Sequence, residues 1–96
     1  MIRVRWTPQA VDDLQAIHDF VARDSSRYAE AEVSRILEAV DRIELFPRSG
    51  RVVPEYDRED VREIIERPYR VVYRVQPEIV YILMVFRSSR LAPDPP

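Results

Sequence analysis

Arg62, Arg67, Arg70, Arg74, Arg87 and Arg90 crowd the C-terminal part of a 96-residue chain. A guanidinium stays protonated and presents forked N–H donors, so it can clamp a carboxylate or a phosphate but makes a poor proton acceptor. In YRVVYRV, residues 69–75, strand alternation sets Tyr69, Val71, Tyr73 and Val75 on one face and Arg70, Val72 and Arg74 on the other. Such a cationic face could hold the phosphate of an RNA being cut, grip a partner protein, or simply sit in water. Cutting needs more than cations, because one group must take a proton and another must deliver one. Candidates for those roles are few. His18, the only histidine, stands beside Asp19 in a helical stretch and reads as a solvated helix residue. Glu63 and Glu66, next to the arginines, read as ion-pair partners. The loop EYDRED carries Glu55, Asp57, Glu59 and Asp60 but lacks the glycine and closing glutamate of a calcium loop. No serine sits in a nucleophile motif, and a chain with one glycine has no glycine-rich phosphate cradle. No metal site and no cofactor are expected.

The elements that must position these residues follow from periodicity. Residues 2–6 alternate, with Ile2, Val4 and Trp6 on one face of a short strand. Thr7-Pro8 then signals a helix start, with Asp12 and Asp13 placed to favour its positive end. Ala10, Leu14, Ile17 and Val21 form that helix's apolar stripe, widened by Val11 and Phe20. Asp24-Ser25-Ser26 offers new caps for a second helix running to about Leu45. Its stripe is Ala29, Val33, Ile36, Leu37, Val40 and Ile43, and Pro47 stops it. Gly50 follows, where a turn is expected to need a positive φ. Val52-Val53 reads as a short strand, and residues 61–66, 69–75 and 79–86 as three longer ones with hairpin-length gaps. The last is apolar on both sides, with Ile79, Tyr81, Leu83 and Val85 on one and Val80, Ile82, Met84 and Phe86 on the other. It should therefore lie inside the sheet.

The expected fold is a two-layer α+β domain: an N-terminal strand, then an α-helical hairpin packed on a mainly antiparallel sheet of about four to five strands. It fills residues 1–91, with 92–96 a flexible proline-rich tail. No helix remains for the sheet's second face, so Ile82-type apolar side chains beside Arg70 and Arg74 are expected to lie open there for a partner.

Composition bounds the function. The chain is 46% hydrophobic with no cysteine, so one core must suffice without disulfides, as suits a reducing compartment. All 15 basic residues are arginine and the net charge is −2, which argues against bulk nucleic-acid binding. Residues 1–66 carry a net −5 and residues 67–96 a net +3, so the positive end is the last third. The opening MIRVRWTPQAVDDL lacks the apolar core of a signal peptide, and no run reaches the length of a membrane span.

The order strand, two helices, strands, together with the pieces it carries, resembles the ParE/RelE superfamily of bacterial type II toxins over about residues 2–91. Those pieces are WTPQAVDDLQAIHDFVA, LFPRSGRVVPE, VREIIERPYRVVYRV and the closing VFRSSR. The ParE branch is the nearer match, at Ala10, Asp13, Leu14 and Ile17, at Pro47, Gly50 and Arg51, at Val53-Pro54-Glu55, at Arg62-Glu63-Ile64 and at Tyr69 to Tyr73. The resemblance implies a plasmid-stabilisation toxin acting in the bacterial cytoplasm. It would inhibit DNA gyrase by protein contacts and be neutralised by a cognate ParD-like antitoxin of the ribbon-helix-helix type. It also implies no membrane role and no sequence-specific DNA binding by the toxin alone. The alternative is a RelE-like, ribosome-dependent mRNA endoribonuclease using Arg70 and Arg90 on the phosphate. RelE-like nucleases place lysines within the stretch that here reads VREII, and a tyrosine or histidine near the C-terminus. This chain has Arg62 and Glu63 in the first place and Phe86 where many ParE relatives carry histidine, so catalytic residues are expected to be absent. The expected target-binding residues are Arg62, Arg67, Arg70, Arg74, Arg87 and Arg90. The expected antitoxin-binding residues are Leu14, Ile17, Val33, Leu37 and Val40.

Overall fold

The computed structural model describes residues 2–93. The strand β1 (Arg3–Trp6) leads directly into the helix α1 (Pro8–Ala22). Thr7 caps it, its hydroxyl oxygen accepting the Ala10 N–H at 3.2 Å while Pro8 occupies the first turn. After a short turn, Ser25 caps α2 (Ser26–Leu45) in the same way through the Tyr28 N–H at 3.2 Å. The strands β2 (Arg51–Val52), β3 (Val61–Glu66), β4 (Tyr69–Val75) and β5 (Ile79–Arg87) complete the chain.

They form one five-stranded sheet of order β1-β5-β4-β3-β2. β1 runs parallel to β5, and every other pair is antiparallel. The helical hairpin covers one face. Ala10, Ile36, Val40 and Ile43 meet Tyr69, Val71, Tyr73, Val80, Ile82 and Val85 there, with Leu14 and Ile17 at the margin. Asp13 does not serve the helix start: its carboxylate lies beyond the first turn and accepts the Val85 N–H of β5 at 2.9 Å.

β5 departs from simple alternation. Val72 pairs with Met84 but Tyr73 pairs with Ile82, so Leu83 is an extra residue, a β-bulge. The bulge shifts the strand's parity. Val80, Ile82 and Val85 face the helices, whereas Tyr81, Leu83, Met84 and Phe86 face away. The expectation that Ile82 lies on the helix-free side is thereby corrected.

Gly50 is also needed for a different reason from the one expected. Its φ is not positive. A Cβ at this position would sit 2.5 Å from both the Glu63 carbonyl oxygen and the Tyr73 hydroxyl. The Gly50 N–H meets that hydroxyl at 2.9 Å, so the 46–50 turn is pinned by contact with the sheet. The positive φ belongs to Asp57, at 51°.

The helix-free face carries a second apolar cluster, Val53, Val61, Val72, Leu83 and Met84. Residues 90–93, expected to fray in part, lie across it. Ala92 packs on the cluster and donates its N–H to Glu55 Oε2 at 2.7 Å, and the Tyr56 hydroxyl donates to the Pro93 carbonyl at 2.5 Å. Positions 94–96 of the expected tail lie outside the described residues.

Candidate functional site

Arg70 is the centre of the helix-free face, and it is only 5% exposed. Antiparallel pairing of β3 with β4 brings Glu63 alongside, and the loop after β2 brings Glu55 across the top. Arg70 Nε donates to Glu63 Oε1 at 2.6 Å, and its two terminal nitrogens donate to Glu55 at 2.7 and 2.8 Å. Nη1 also reaches the Arg90 carbonyl at 3.0 Å, and the Phe86 ring lies 5.0 Å from the guanidinium carbon. Four of the five guanidinium donors are thus used inside the chain. Those bonds, chiefly from Glu55, raise the Arg70 pKa above its already high value. In return Arg70, and after it the Ala92 N–H, holds the Glu55 carboxyl down at about 2.

Glu63 is 1% exposed, and its other oxygen accepts a bond from Arg51 Nε at 2.6 Å. A carboxylate with each oxygen on a guanidinium and no path to solvent is a buried counter-ion. It is not placed to take a proton from an RNA hydroxyl. Glu66 is occupied by Arg42 at 3.1 Å. His18 lies on α1 beside Asp19, 3.3 Å away, and lines a shallow groove between the helices with Val11, Leu14 and Val33. Among the described residues, the carboxylates that flank Arg70 are Glu55 and Glu63, both bonded to its guanidinium.

The expected target-binding arginines therefore divide. Arg70 is buried, its guanidinium bonded to Glu63, Glu55 and the Arg90 carbonyl, so the expectation that it lies open on the helix-free face is corrected. Arg62 is likewise committed, to the Gly50 carbonyl at 3.0 Å and to Glu59 at 2.9 Å. Arg74 stands partly open, with Asp60 as its nearest carboxylate at 3.9 Å and its Nε without a hydrogen-bond partner. Arg67, Arg87 and Arg90 are exposed and form no ion pair among the described residues. The register Tyr69 to Arg87 and the bond from the Ser88 N–H to the Pro68 carbonyl bring these three to one end of the sheet. There Arg87 and Arg90 flank a cleft of about 290 Å³ floored by Phe20, Val85 and Phe86.

The five expected antitoxin-binding residues differ in exposure. Val40 is buried, and Leu14 and Ile17 pack against the core, because the hairpin spends its stripe on the sheet. Val33 is half-buried between the helices. Leu37 alone of the five is exposed, at 42%. Two arginines not singled out from the sequence join the open side. Arg3 and Arg5 alternate with the core-facing Val4 and Trp6, and the parallel pairing sets Arg5 beside Tyr81, itself beside Arg74. The alternation in IRVRW carries that signal once β1 is known to lie next to β5.

Residues 4–92 match the family described as the ParE toxin of the type II toxin-antitoxin system parDE. The chain belongs to the ParE toxin family. It is 32% identical over 91 residues to the toxin RelE2 of Caulobacter vibrioides, covering 95% of this chain and 100% of that protein. Its fold is similar to the solved chromosomal ParDE system from P. aeruginosa, with a TM-score of 0.75 and 30% identity over 91% of this chain and 96% of that one. It also resembles the toxin-antitoxin complex RelBE2 from Mycobacterium tuberculosis, with a TM-score of 0.60 and 25% identity over 90% of this chain and 96% of that one. In this ParE-family chain no group of three or more metal-ligating side chains is gathered among the described residues. None of the described helices is long and apolar enough to cross a membrane.

Proposed function

We propose that this ParE-family toxin acts by gripping a protein target, DNA gyrase, and does not cut RNA. The observation that carries this reading is the closed Arg70–Glu63–Glu55 network. Where a nuclease would need a free base and acid, each carboxylate is bound by arginine and the 90–93 segment covers the arginine itself. The gripping surface is the end of the sheet bearing Arg67, Arg87 and Arg90, with Phe20 and Phe86 supplying apolar area and Arg74 contributing from the face. Neutralisation falls to a cognate antitoxin of the ribbon-helix-helix type in the bacterial cytoplasm, a partner supported by the ParDE and RelBE2 systems the fold resembles. Leu37 and the half-buried Val33 are its available contacts on the hairpin.

The test is to purify the toxin and assay gyrase supercoiling beside 5′-end mapping of translated messages after induction in cells. Loss of supercoiling, abolished by R67A/R87A/R90A without a change in melting temperature, is the expected result. New 5′ ends with supercoiling intact would instead establish the endoribonuclease reading.

A further inference from the structure

Arg74 is the anomaly among the strand arginines. Its side chain is 26% exposed, yet it forms no hydrogen bond among the described residues. The nearest carboxylate oxygen, of Asp60, lies 3.9 Å from Nε, and that carboxylate is already bonded by Arg58 at 3.1 and 2.8 Å. Arg70, on the same strand, spends four of its five donors inside the chain. A guanidinium drawn this far out of water with its donors unmet is costly, and it marks a place where an acceptor from outside the chain would be stabilising. The register sets two further donors beside it. Arg74 pairs with Tyr81 of β5 and Tyr81 with Arg5 of β1, so the three stand in one row across adjacent strands. All face the helix-free side: Arg74 alternates with the core-facing Tyr73 and Val75, Arg5 with Val4 and Trp6, and Tyr81 packs at the margin of the second apolar cluster. The Arg5 guanidinium and the Tyr81 hydroxyl are likewise without hydrogen-bond partners among the described residues. Strands lie about 4.8 Å apart, so the two arginines rise from points about 10 Å apart with the phenol between them.

We infer that Arg5, Tyr81 and Arg74 form a binding site for a phosphate group, free or carried by a small molecule. A phosphate presents its oxygens as a tetrahedron, which two forked guanidiniums and a hydroxyl can meet from three sides at once. A carboxylate has two oxygens in one plane and is filled by a single fork, as Glu55 is by Arg70. The Tyr81 ring offers an apolar face to whatever group bears the phosphate. Nucleic acid is the poorer occupant. The row is one phosphate wide, the chain carries a net −2, and Arg70, on the same face, is closed off by Glu55 and Glu63. The site lies toward the other end of the strands from Arg67, Arg87 and Arg90 and does not rest on the gyrase reading.

The probes are inorganic phosphate and adenosine 5′-monophosphate, titrated into the full chain at constant ionic strength and followed by amide NMR, with acetate and oligo-dT beside them. Saturable shifts centred on Arg5, Tyr81 and Arg74 are expected with both phosphates. Equal affinities mark a site for the free ion, and tighter binding of the nucleotide marks a site for a phosphomonoester. R74Q and R5Q should each weaken binding about tenfold or more, because each removes a charged fork. R27Q, on α2 and so on the other face of the sheet, should leave binding unchanged. R74M gives a readout that a structural arginine would not. In phosphate-free buffer it should melt no lower than the parent, since it removes an unpaired and largely buried charge, and the rise in Tm that phosphate gives the parent should vanish. No saturable shift, equal shifts with acetate, tighter binding of oligo-dT than of the mononucleotide, shifts centred on Arg87 and Arg90, or a lower melt for R74M would each overturn the inference.

Discussion

Replacing Arg70 with methionine tests the claim that this residue is a structural counter-ion. The substitution leaves Glu63 sealed from solvent with Arg51 as its remaining partner, and strips Glu55 of both guanidinium bonds. Removing one member of a buried pair costs about 3–5 kcal/mol, and the surviving bond from the largely exposed Arg51 places this case near 3. For a domain of this size, about 3 kcal/mol lowers Tm by about 12–24 °C. Glu63→Met, which leaves Arg70 with Glu55, should fall at the low end of that drop. The double variant R70M/E63M replaces the pair by apolar volume and should recover most of the loss, because no uncompensated charge remains between β3 and β4. Melting followed by circular dichroism on the three variants and the parent closes the cycle. If R70M melts within about 4 °C of the parent while losing target inhibition, Arg70 is a contact residue and the sealed-network argument fails.

Other outcomes follow from the same geometry. The Glu55 carboxyl is held at about 2 by Arg70 and the Ala92 N–H, below the 4.5 of an ordinary glutamate, so the unfolded chain binds the proton more readily. Its stabilisation is full above about pH 4.5 and fades as pH falls toward 2, and E55Q should flatten the slope of Tm against pH in that window while leaving any slope above pH 5 unchanged. Truncation after Ser89 uncovers the Val53, Val61, Val72, Leu83 and Met84 cluster and frees Glu55 from Ala92. It should cost about 2 kcal/mol and raise dye binding to exposed apolar surface, whereas an unchanged melt would mean the segment does not hold the face. Gly50→Ala drives a Cβ into the Glu63 carbonyl and the Tyr73 hydroxyl at 2.5 Å, and a loss of about 2–3 kcal/mol in urea unfolding is expected; a neutral result would show that the turn can retreat from the sheet.

Much of the fold is legible in local chemistry. Thr7-Pro8 and Ser25 mark helix starts because a side-chain oxygen beside an orphan N–H is a purely local solution, and the structure places both caps there. Pro47 ends the second helix for an equally local reason. The bulge at Leu83 left no such mark. A strand apolar on both faces shows no alternation for an extra residue to interrupt, so the parity shift that carries Ile82 to the helix side is invisible until Tyr73 chooses its partner.

The arginines show the same division most sharply. Alternation alone determined that Arg70 and Arg74 share a face, and that Arg3 and Arg5 oppose Val4 and Trp6. Whether each is a free cation was decided by carboxylates that arrive from elsewhere: Glu55 from 15 residues away and Glu63 from 7, with the 90–93 segment closing over them. Arg67, Arg87 and Arg90 form no ion pair among the described residues because the acidic side chains near that end are taken up elsewhere, Asp13 by the Val85 N–H, Glu66 by Arg42 and Glu32 by the Tyr69 hydroxyl. A side chain's charge is written in the sequence, but its availability depends on burial and on the counter-ion that folding supplies.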